Sequence, residues 1–139
     1  MSTIMNDSGR QVIAETYWLD GARTFRVLLV DDTYVPAASD VFVNDVVAYE
    51  VAGPGYSRVT LSGLTVNVAV NRANCNADCP TWVGLDAGIV GSAVVYEEIT
   101  NDADSLIICT LDPVDLLTVG IDVTLRFGSQ ETSGPVFRV

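Results

Sequence analysis

Apolar residues in this 139-residue chain recur with the two-residue period of β-strands or in short continuous runs. The clearest alternation covers residues 65–70, where three valines fall on one face and polar or small residues on the other. No segment sustains a helical period over about eleven positions. The pattern therefore predicts strands at 25–30, 46–51, 58–61, 65–70, 81–83, 91–97, 105–111, 121–127 and 136–138.

Turn signals separate these strands at short intervals. The strongest is Gly53-Pro54-Gly55, and a polar loop is expected at 98–104. Many short strands with turns about every 8–12 residues are typical of an all-β fold, and we expect a single-domain antiparallel β-sandwich or a jelly-roll-like barrel. No internal repeat or linker divides the chain.

The first 22 residues are polar and lack strand periodicity, so we expect an irregular N-terminal arm followed by a β-rich domain at 23–139. The arm ends in Tyr17 and Trp18. One interpretation is a frayed terminus. The other is an arm that becomes ordered only on a neighbouring subunit, with the two aromatic residues as anchors.

Composition indicates a protein that acts through its surface. The chain is 49% hydrophobic with a mean hydropathy of +0.34, yet its formal net charge is −11. No apolar run approaches the ~18 residues that span a bilayer. The apolar residues therefore fill a large core or are buried against other subunits. The scattered arginines form no basic stripe, so we expect neither nucleic-acid nor membrane binding.

The chain contains no histidine and no lysine. Those side chains supply the usual general base, the common metal ligand and the Schiff-base amine. A Ser-His-Asp or Ser-Lys mechanism is therefore impossible within the chain, and no glycine-rich phosphate loop occurs. We expect no enzymatic activity, no cofactor and no metal.

Three further groups of residues are candidate sites. Cys75 and Cys79 are too few for zinc, and they are either ordinary thiols or a local disulfide in a loop, whereas Cys109 is expected in the core. The pattern at 102–105 resembles part of a calcium loop but lacks most of the ligands. The carboxylate pairs at 31–32 and 112–115 fit turn chemistry better than catalysis.

A resemblance in the order of several short sequence blocks narrows the range of functions expected for this chain. It is carried by a series of blocks in fixed order: Val27-Leu28-Leu29-Val30-Asp31-Asp32-Thr33-Tyr34-Val35-Pro36, Gly53-Pro54-Gly55-Tyr56, Asn71-Arg72-Ala73, Ala77-Asp78, Pro80-Thr81-Trp82, Ala93-Val94-Val95-Tyr96 and Asn101-Asp102-Ala103-Asp104-Ser105-Leu106-Ile107. This order, over residues 25–111, resembles a family of small virion structural proteins of tailed bacteriophages and prophages. Cys75 and Cys79 replace an aromatic residue and a carboxylate of the family pattern, and Glu97-Glu98 replaces Lys-Asp.

The resemblance implies a virion component assembled in the host cytoplasm. We expect a capsid decoration or cement protein that bridges major capsid subunits, with a tail, fibre or baseplate component as the alternative. A soluble carbohydrate- or surface-binding β-sandwich is the second alternative. Other virion proteins are the expected partners, and a homo-oligomer is expected, with a trimer favoured by the three-fold sites of an icosahedral shell. The expected interface residues are Tyr17, Trp18, Phe25, Tyr34, Tyr56 and Trp82.

Overall fold

A computed structural model describes residues 2–111, 115–127 and 134–139 of the chain. It confirms a mostly β fold of antiparallel strands, with one α-helix among the described residues. The elements are α1 (Asp7–Trp18), β1 (Thr24–Asp31), β2 (Val59–Thr60), β3 (Thr65–Ala69), β4 (Arg72–Asn76), β5 (Thr81–Leu85), β6 (Gly88–Glu98), β7 (Leu106–Leu111), β8 (Leu116–Thr118), β9 (Ile121–Thr124) and β10 (Phe137–Arg138).

The chain forms two compact units. The first unit comprises the described residues of Met1–Arg23, Leu61–Cys79 and Leu125–Val139, and contains α1 with the sheet β10-β4-β3. The second unit comprises the described residues of Thr24–Thr60 and Pro80–Thr124. It contains the sheet β2-β1-β6-β7, in which β8 also pairs with β6, and the two-stranded sheet β5-β9.

Two long apolar strands form the centre of the second unit. β1 pairs antiparallel with β6 from Thr24 opposite Glu98 to Asp31 opposite Val90. Val27 to Val30 and Gly91 to Glu97 are buried without the alternation of a half-exposed strand, so both faces of this strand pair are covered. Their valine and leucine content fits such a doubly buried position.

The segment between β1 and β2 has no strand of its own, yet it supplies part of this core. It contains two 3₁₀ turns, Val43–Asp45 and Val47–Tyr49, where the hydrophobic pattern predicted a strand at 46–51. That prediction was wrong because Val43, Val46 and Tyr34 pack onto the sheet from above instead of extending it. The resulting cluster contains Leu28, Val30, Tyr34, Val43, Val46, Val94 and Tyr96.

The first unit corrects the prediction of an irregular arm, because Asp7–Trp18 is a helix. Asp7 lies in its first turn, where a carboxylate is favourable, and Gln11 donates a hydrogen bond to Glu15 one turn later. Its buried stripe consists of Ala14 and Trp18 alone. Such a narrow stripe produces no sustained helical period, which is why the sequence pattern missed the helix.

Trp18 fixes the helix to the sheet of the first unit. Its side chain is fully buried, and its indole N–H donates to the carbonyl of Asn76 at 2.8 Å. The ring also packs edge-on against Phe137, with centroids 5.1 Å apart. Phe137 pairs with Cys75, so the helix covers the face of the sheet on which Cys75 and Ala73 are buried.

The other predicted strands are confirmed with shifted ends, whereas β4 and β8 were not predicted. β4 follows β3 through a tight turn in which Asn71 has a φ of 61°, a left-handed conformation that asparagine tolerates. The alternation predicted through 127 forms a strand only to Thr124. The three cysteines are thiols and not disulfide partners. Among the described residues, no helix is long and apolar enough to cross a bilayer.

We expect Trp18→Ala to lower the free energy of unfolding by about 3–5 kcal/mol, because it leaves a cavity under α1 and removes the hydrogen bond from the indole to the Asn76 carbonyl. Trp18→Phe, which keeps a ring but loses the hydrogen bond, should cost about 1–2 kcal/mol. Urea unfolding measures both values. Val12→Ala in the same helix, at a side chain that is 62% exposed, should stay within about 0.5 kcal/mol. Equal effects at Trp18 and Val12 would contradict the packing of α1.

Candidate functional site: an arginine cluster and an apolar surface

The six residues expected at an interface differ in how deeply the structure buries them. Trp18, Phe25, Tyr34 and Trp82 are buried within the chain itself in this conformation, and their expected role at an interface stays a prediction. They are core residues, and large aromatic rings serve a core as readily as an interface. Tyr17 and Tyr56 are half-buried. Tyr17 lies beneath the guanidinium of Arg23, 4.7 Å from the ring centroid.

Both tryptophans bind the backbone of the chain. The indole N–H of Trp82 donates to the carbonyl of Ser57 at 2.8 Å, just as Trp18 donates to Asn76. A carbohydrate groove built on these residues would need an exposed ring face. Their burial therefore removes the feature on which the carbohydrate-binding alternative depended.

The polar centre of the second unit is a cluster around Arg58. The Glu50 carboxylate accepts hydrogen bonds from Nε and Nη2 of Arg58, both at 2.8 Å. The Asp102 carboxylate accepts from Nη1 at 2.7 Å and Nη2 at 3.0 Å. Nη1 also donates to the hydroxyl of Tyr96 at 3.3 Å. The guanidinium thus forms a two-pronged pair with each of two carboxylates, the strongest geometry that arginine offers.

These contacts occupy every N–H that a guanidinium possesses. No donor of Arg58 remains for a substrate phosphate or carboxylate, so the cluster is built to hold the chain together and not to bind a ligand. The ion pairs join Glu50, in the segment between β1 and β2, to Asp102, in the loop between β6 and β7. The backbone carbonyl of Asp102 also accepts a hydrogen bond from the Asn44 N–H at 2.9 Å.

Two tyrosines complete the cluster. The Tyr56 hydroxyl donates to Glu50 at 2.5 Å and accepts from the Leu29 N–H at 3.2 Å. Burial and the hydrogen bond to Glu50 raise the pKa of Tyr56 well above its usual value. Burial also raises the pKa of Tyr96, and Arg58 lies 5.6 Å from its ring centroid. Both phenols therefore remain protonated and serve as neutral hydrogen-bonding groups.

The carboxylates of the cluster titrate at lower pH than usual. Burial alone would raise the pKa of Glu50, but the hydrogen bonds from Arg58 and Tyr56 outweigh it and lower that pKa. The hydrogen bonds from Arg58 lower the pKa of Asp102, against a smaller effect of burial. The same contacts raise the pKa of Arg58, so the cluster stays fully charged near neutral pH.

A polar cleft of about 160 Å³ opens beside this cluster. Arg26 and Glu98 form an ion pair at 2.8 Å on its wall, and the Arg26 guanidinium also donates to the carbonyl of Arg58. The cleft holds neither a nucleophile with a base nor a set of metal ligands. Among the described residues, no group of three or more acidic or cysteine side chains could hold a metal ion.

The loop that resembled part of a calcium site is closed by its own side chains. Asp104 accepts hydrogen bonds from the N–H groups of Thr100 and Asn101, both at 2.9 Å. The Asp102 carboxylate forms an ion pair with Arg58. Asp31 likewise caps a turn, accepting from the N–H and hydroxyl of Thr33. This agrees with the turn chemistry expected at 31–32, whereas most of the 112–115 pair lies outside the described residues.

The thiols are poorly suited to chemistry. Cys75 is buried on β4, and burial raises its pKa to about 11. Burial raises the pKa of Cys109, on β7, to about 11 as well. A thiol with such a pKa is almost wholly protonated near neutral pH and is a weak nucleophile.

An exposed apolar surface lies where β6 begins and β8 ends. We call it the β8–β9 patch, and its members are Ile89, Leu116, Leu117, Val119 and Ile121, between 39% and 64% exposed. Ile89 lies directly opposite Leu117 in the pairing of β6 with β8. Residues 116–121 carry no charge, and Asp115 and Asp122 bound them on either side. Because consecutive strand residues point to opposite faces of a sheet, Leu117 shares a face with Ile89 and Leu116 lies on the other face. Exposed apolar residues bounded by charges are typical of a protein contact site.

No protein-family model, curated protein or solved structure matches this chain.

We expect Arg58→Met to lower the free energy of unfolding by about 2–4 kcal/mol, because it leaves the half-buried carboxylates of Glu50 and Asp102 without a cation. Arg23→Met, at an ion pair 38% exposed on both sides, should cost at most about 1 kcal/mol. Urea unfolding gives both values. Adding Glu50→Gln to Arg58→Met should cost less than Glu50→Gln alone, since the two residues are coupled. If the free-energy costs of Arg58→Met and Glu50→Gln were additive, the coupling between these two residues would be contradicted.

Acid should unfold the protein through this same cluster. A carboxylate whose pKa is lower in the folded state stabilises the fold above its unfolded pKa, and that contribution is lost as the pH falls through the folded pKa. Because the pKa values of Glu50 and Asp102 are both lowered, unfolding free energy should decline below about pH 4. In Arg58→Met, burial and the charge of Asp102 raise the pKa of Glu50, and only the hydrogen bond from Tyr56 still lowers it. The loss of stability on acidification should therefore be smaller in that variant. Parallel pH profiles of the two proteins would contradict this account.

Proposed function

We propose that this chain is a structural protein of a tailed-bacteriophage virion, a capsid decoration or cement protein that bridges major capsid subunits. It acts through contact area and carries out no reaction. The family resemblance over residues 25–111 supplies the virion context. The observation that carries the proposal is the β8–β9 patch, which exposes five large apolar side chains on an otherwise acidic protein.

The patch has the properties that a cementing contact requires. Burying exposed leucine, isoleucine and valine side chains contributes roughly 25 cal/mol for each Å² of apolar surface removed from water. The surrounding carboxylates keep the unbound protein soluble and repel other copies of the same acidic chain. They also favour a partner whose apolar groove has a basic rim, since complementary charge directs the approach and suppresses wrong partners. We propose that a surface of the major capsid protein supplies this groove.

The finer architecture belongs to the same proposal. A β-sandwich or jelly-roll-like arrangement of these antiparallel strands would leave a rigid scaffold with contact segments at its edges. A position in the tail, fibre or baseplate would use the same contact chemistry at lower copy number, and the experiment below separates the two locations.

The test uses particles of the phage or induced prophage that encodes the chain. Quantitative mass spectrometry of purified particles should find hundreds of copies per particle. Particles assembled without the chain should rupture at lower temperature, and adding purified protein should restore their resistance. Leu117→Asp, which places a charge in the patch, should abolish this rescue because it buries an unpaired carboxylate.

Val12→Asp is the matched control, since Val12 is similarly exposed but lies on α1. It should bind and rescue like the unaltered protein. A few copies per particle, with antibody labelling of the tail, would replace the cement role by the tail alternative. Absence of the chain from purified particles would overturn the virion assignment.

A further inference from the structure

The outer edge of β3 is an unprotected sheet edge. β3 is the last strand of the sheet β10-β4-β3, and no described residue pairs with its outer side. Residues 59–71 contain no charged side chain, although the chain carries a net charge of −11. Proteins ordinarily protect such edges with charges, prolines or bulges, because an open row of N–H and C=O groups is a template for another strand. None of these protections occurs within β3.

The hairpin turn determines which residues face outward. Ala69 pairs with Arg72 across a two-residue turn, and the closing pair of such a hairpin exchanges both of its backbone hydrogen bonds. Hydrogen-bonded pairs then alternate along the ladder, so Asn67 and Thr65 also bond to β4. Val66 and Val68 therefore direct their backbone N–H and C=O groups away from β4, toward the open edge.

The sequence of this edge is symmetric about Asn67. Val66 and Val68 flank it, small Thr65 and Ala69 follow, and Leu64 and Val70 lie beyond. An antiparallel pair of two β3 strands centred on Asn67 places each Val66 opposite the Val68 of the other copy. Only this register pairs both outward-facing residues of both copies within the strand, giving about four main-chain hydrogen bonds.

We infer that β3 is a self-association edge, at which two copies of this chain pair as antiparallel strands about a two-fold axis through Asn67. The occupant is a second copy because the edge is complementary to itself, in sequence and in charge. Two acidic molecules approach each other most readily where carboxylates are fewest. β3 itself carries no charge, and the Asp7 carboxylate near its end accepts a hydrogen bond from the Asn71 N–H at 2.9 Å. The pairing would cover Val68 and Val70, which are 37% and 81% exposed.

This inference does not depend on the virion assignment. It concerns the first unit, whereas the β8–β9 patch belongs to the second. It also differs from the trimer expected from shell symmetry, because an isologous strand pair closes as a dimer. Strand edges of this length bury little surface, so we expect a weak dimer that forms as the protein is concentrated.

The test compares variants at the proposed axis by sedimentation velocity over a concentration series. Asn67→Asp keeps an oxygen for the hydrogen bond from Asn76, at 2.7 Å in the structure, but places two carboxylates opposite each other. It should weaken association about tenfold or more. Asn67→Ser adds no charge and should still dimerise. Asn44→Asp makes the same chemical change at an exposed position of the second unit and should leave association unaltered.

Amide hydrogen exchange measures directly whether the open edge of β3 is paired with another strand. The N–H groups of Val66 and Val68 should exchange rapidly in dilute protein and become protected as concentration rises, while Asn67→Asp abolishes that protection. The amides of Thr65 and Asn67 bond to β4 and should be protected at every concentration, which also verifies that each variant is folded. A monomer at all concentrations, or an oligomer in which Val66 and Val68 stay unprotected, would overturn the inference.

Discussion

The fold of the second unit depends on Arg58. The chain between Asp31 and Val59 has no strand of its own, yet it supplies Tyr34, Val43 and Val46 to the core above β1 and β6. Arg58 holds this segment in place by joining Glu50 within it to Asp102 in the loop beyond β6. An uncompensated carboxylate here would cost more than a surface ion pair contributes, because Glu50 is only 17% exposed. The hydrophobic packing of this unit therefore depends on the ion pairs of Arg58 with Glu50 and Asp102.

The protein has few positively charged residues, and this explains which segments of its surface are suited to contact with other proteins. Seven arginines face eighteen acidic residues, and Arg58 alone binds two of those carboxylates. Most of the remaining surface is acidic, so close contact with another acidic protein would be most favourable at segments without carboxylates. Residues 59–71 and 116–121 are two segments that carry exposed apolar side chains and no carboxylate. Both include strands at the margins of their sheets, where backbone groups and side chains are accessible together.

The sequence predicted the strands well where burial is strong and local. β1, β6 and β7 come from apolar runs, and β3 comes from clean alternation. It failed where a single long-range contact decides the structure. α1 is amphipathic only through Ala14 and Trp18, and the valines at 46–51 form a turn because they cap a core built by β1 and β6. The Arg58 cluster joins residues 44 positions apart, and no local pattern encodes such a pairing.

The burial of the aromatic residues bears on what kind of contact surface this chain can offer. Aromatic side chains were expected at the interface because they dominate binding energy, but in this chain Trp18, Phe25 and Trp82 are needed to fill small cores. The exposed apolar surface consists mainly of valine, leucine and isoleucine, as in the β8–β9 patch, although Phe42 and Tyr49 are also exposed. Aliphatic contacts are individually weaker and less directional than aromatic ones. On the proposed particle shell the same contact would recur many times, and weak edges and patches would then be sufficient because many copies act together.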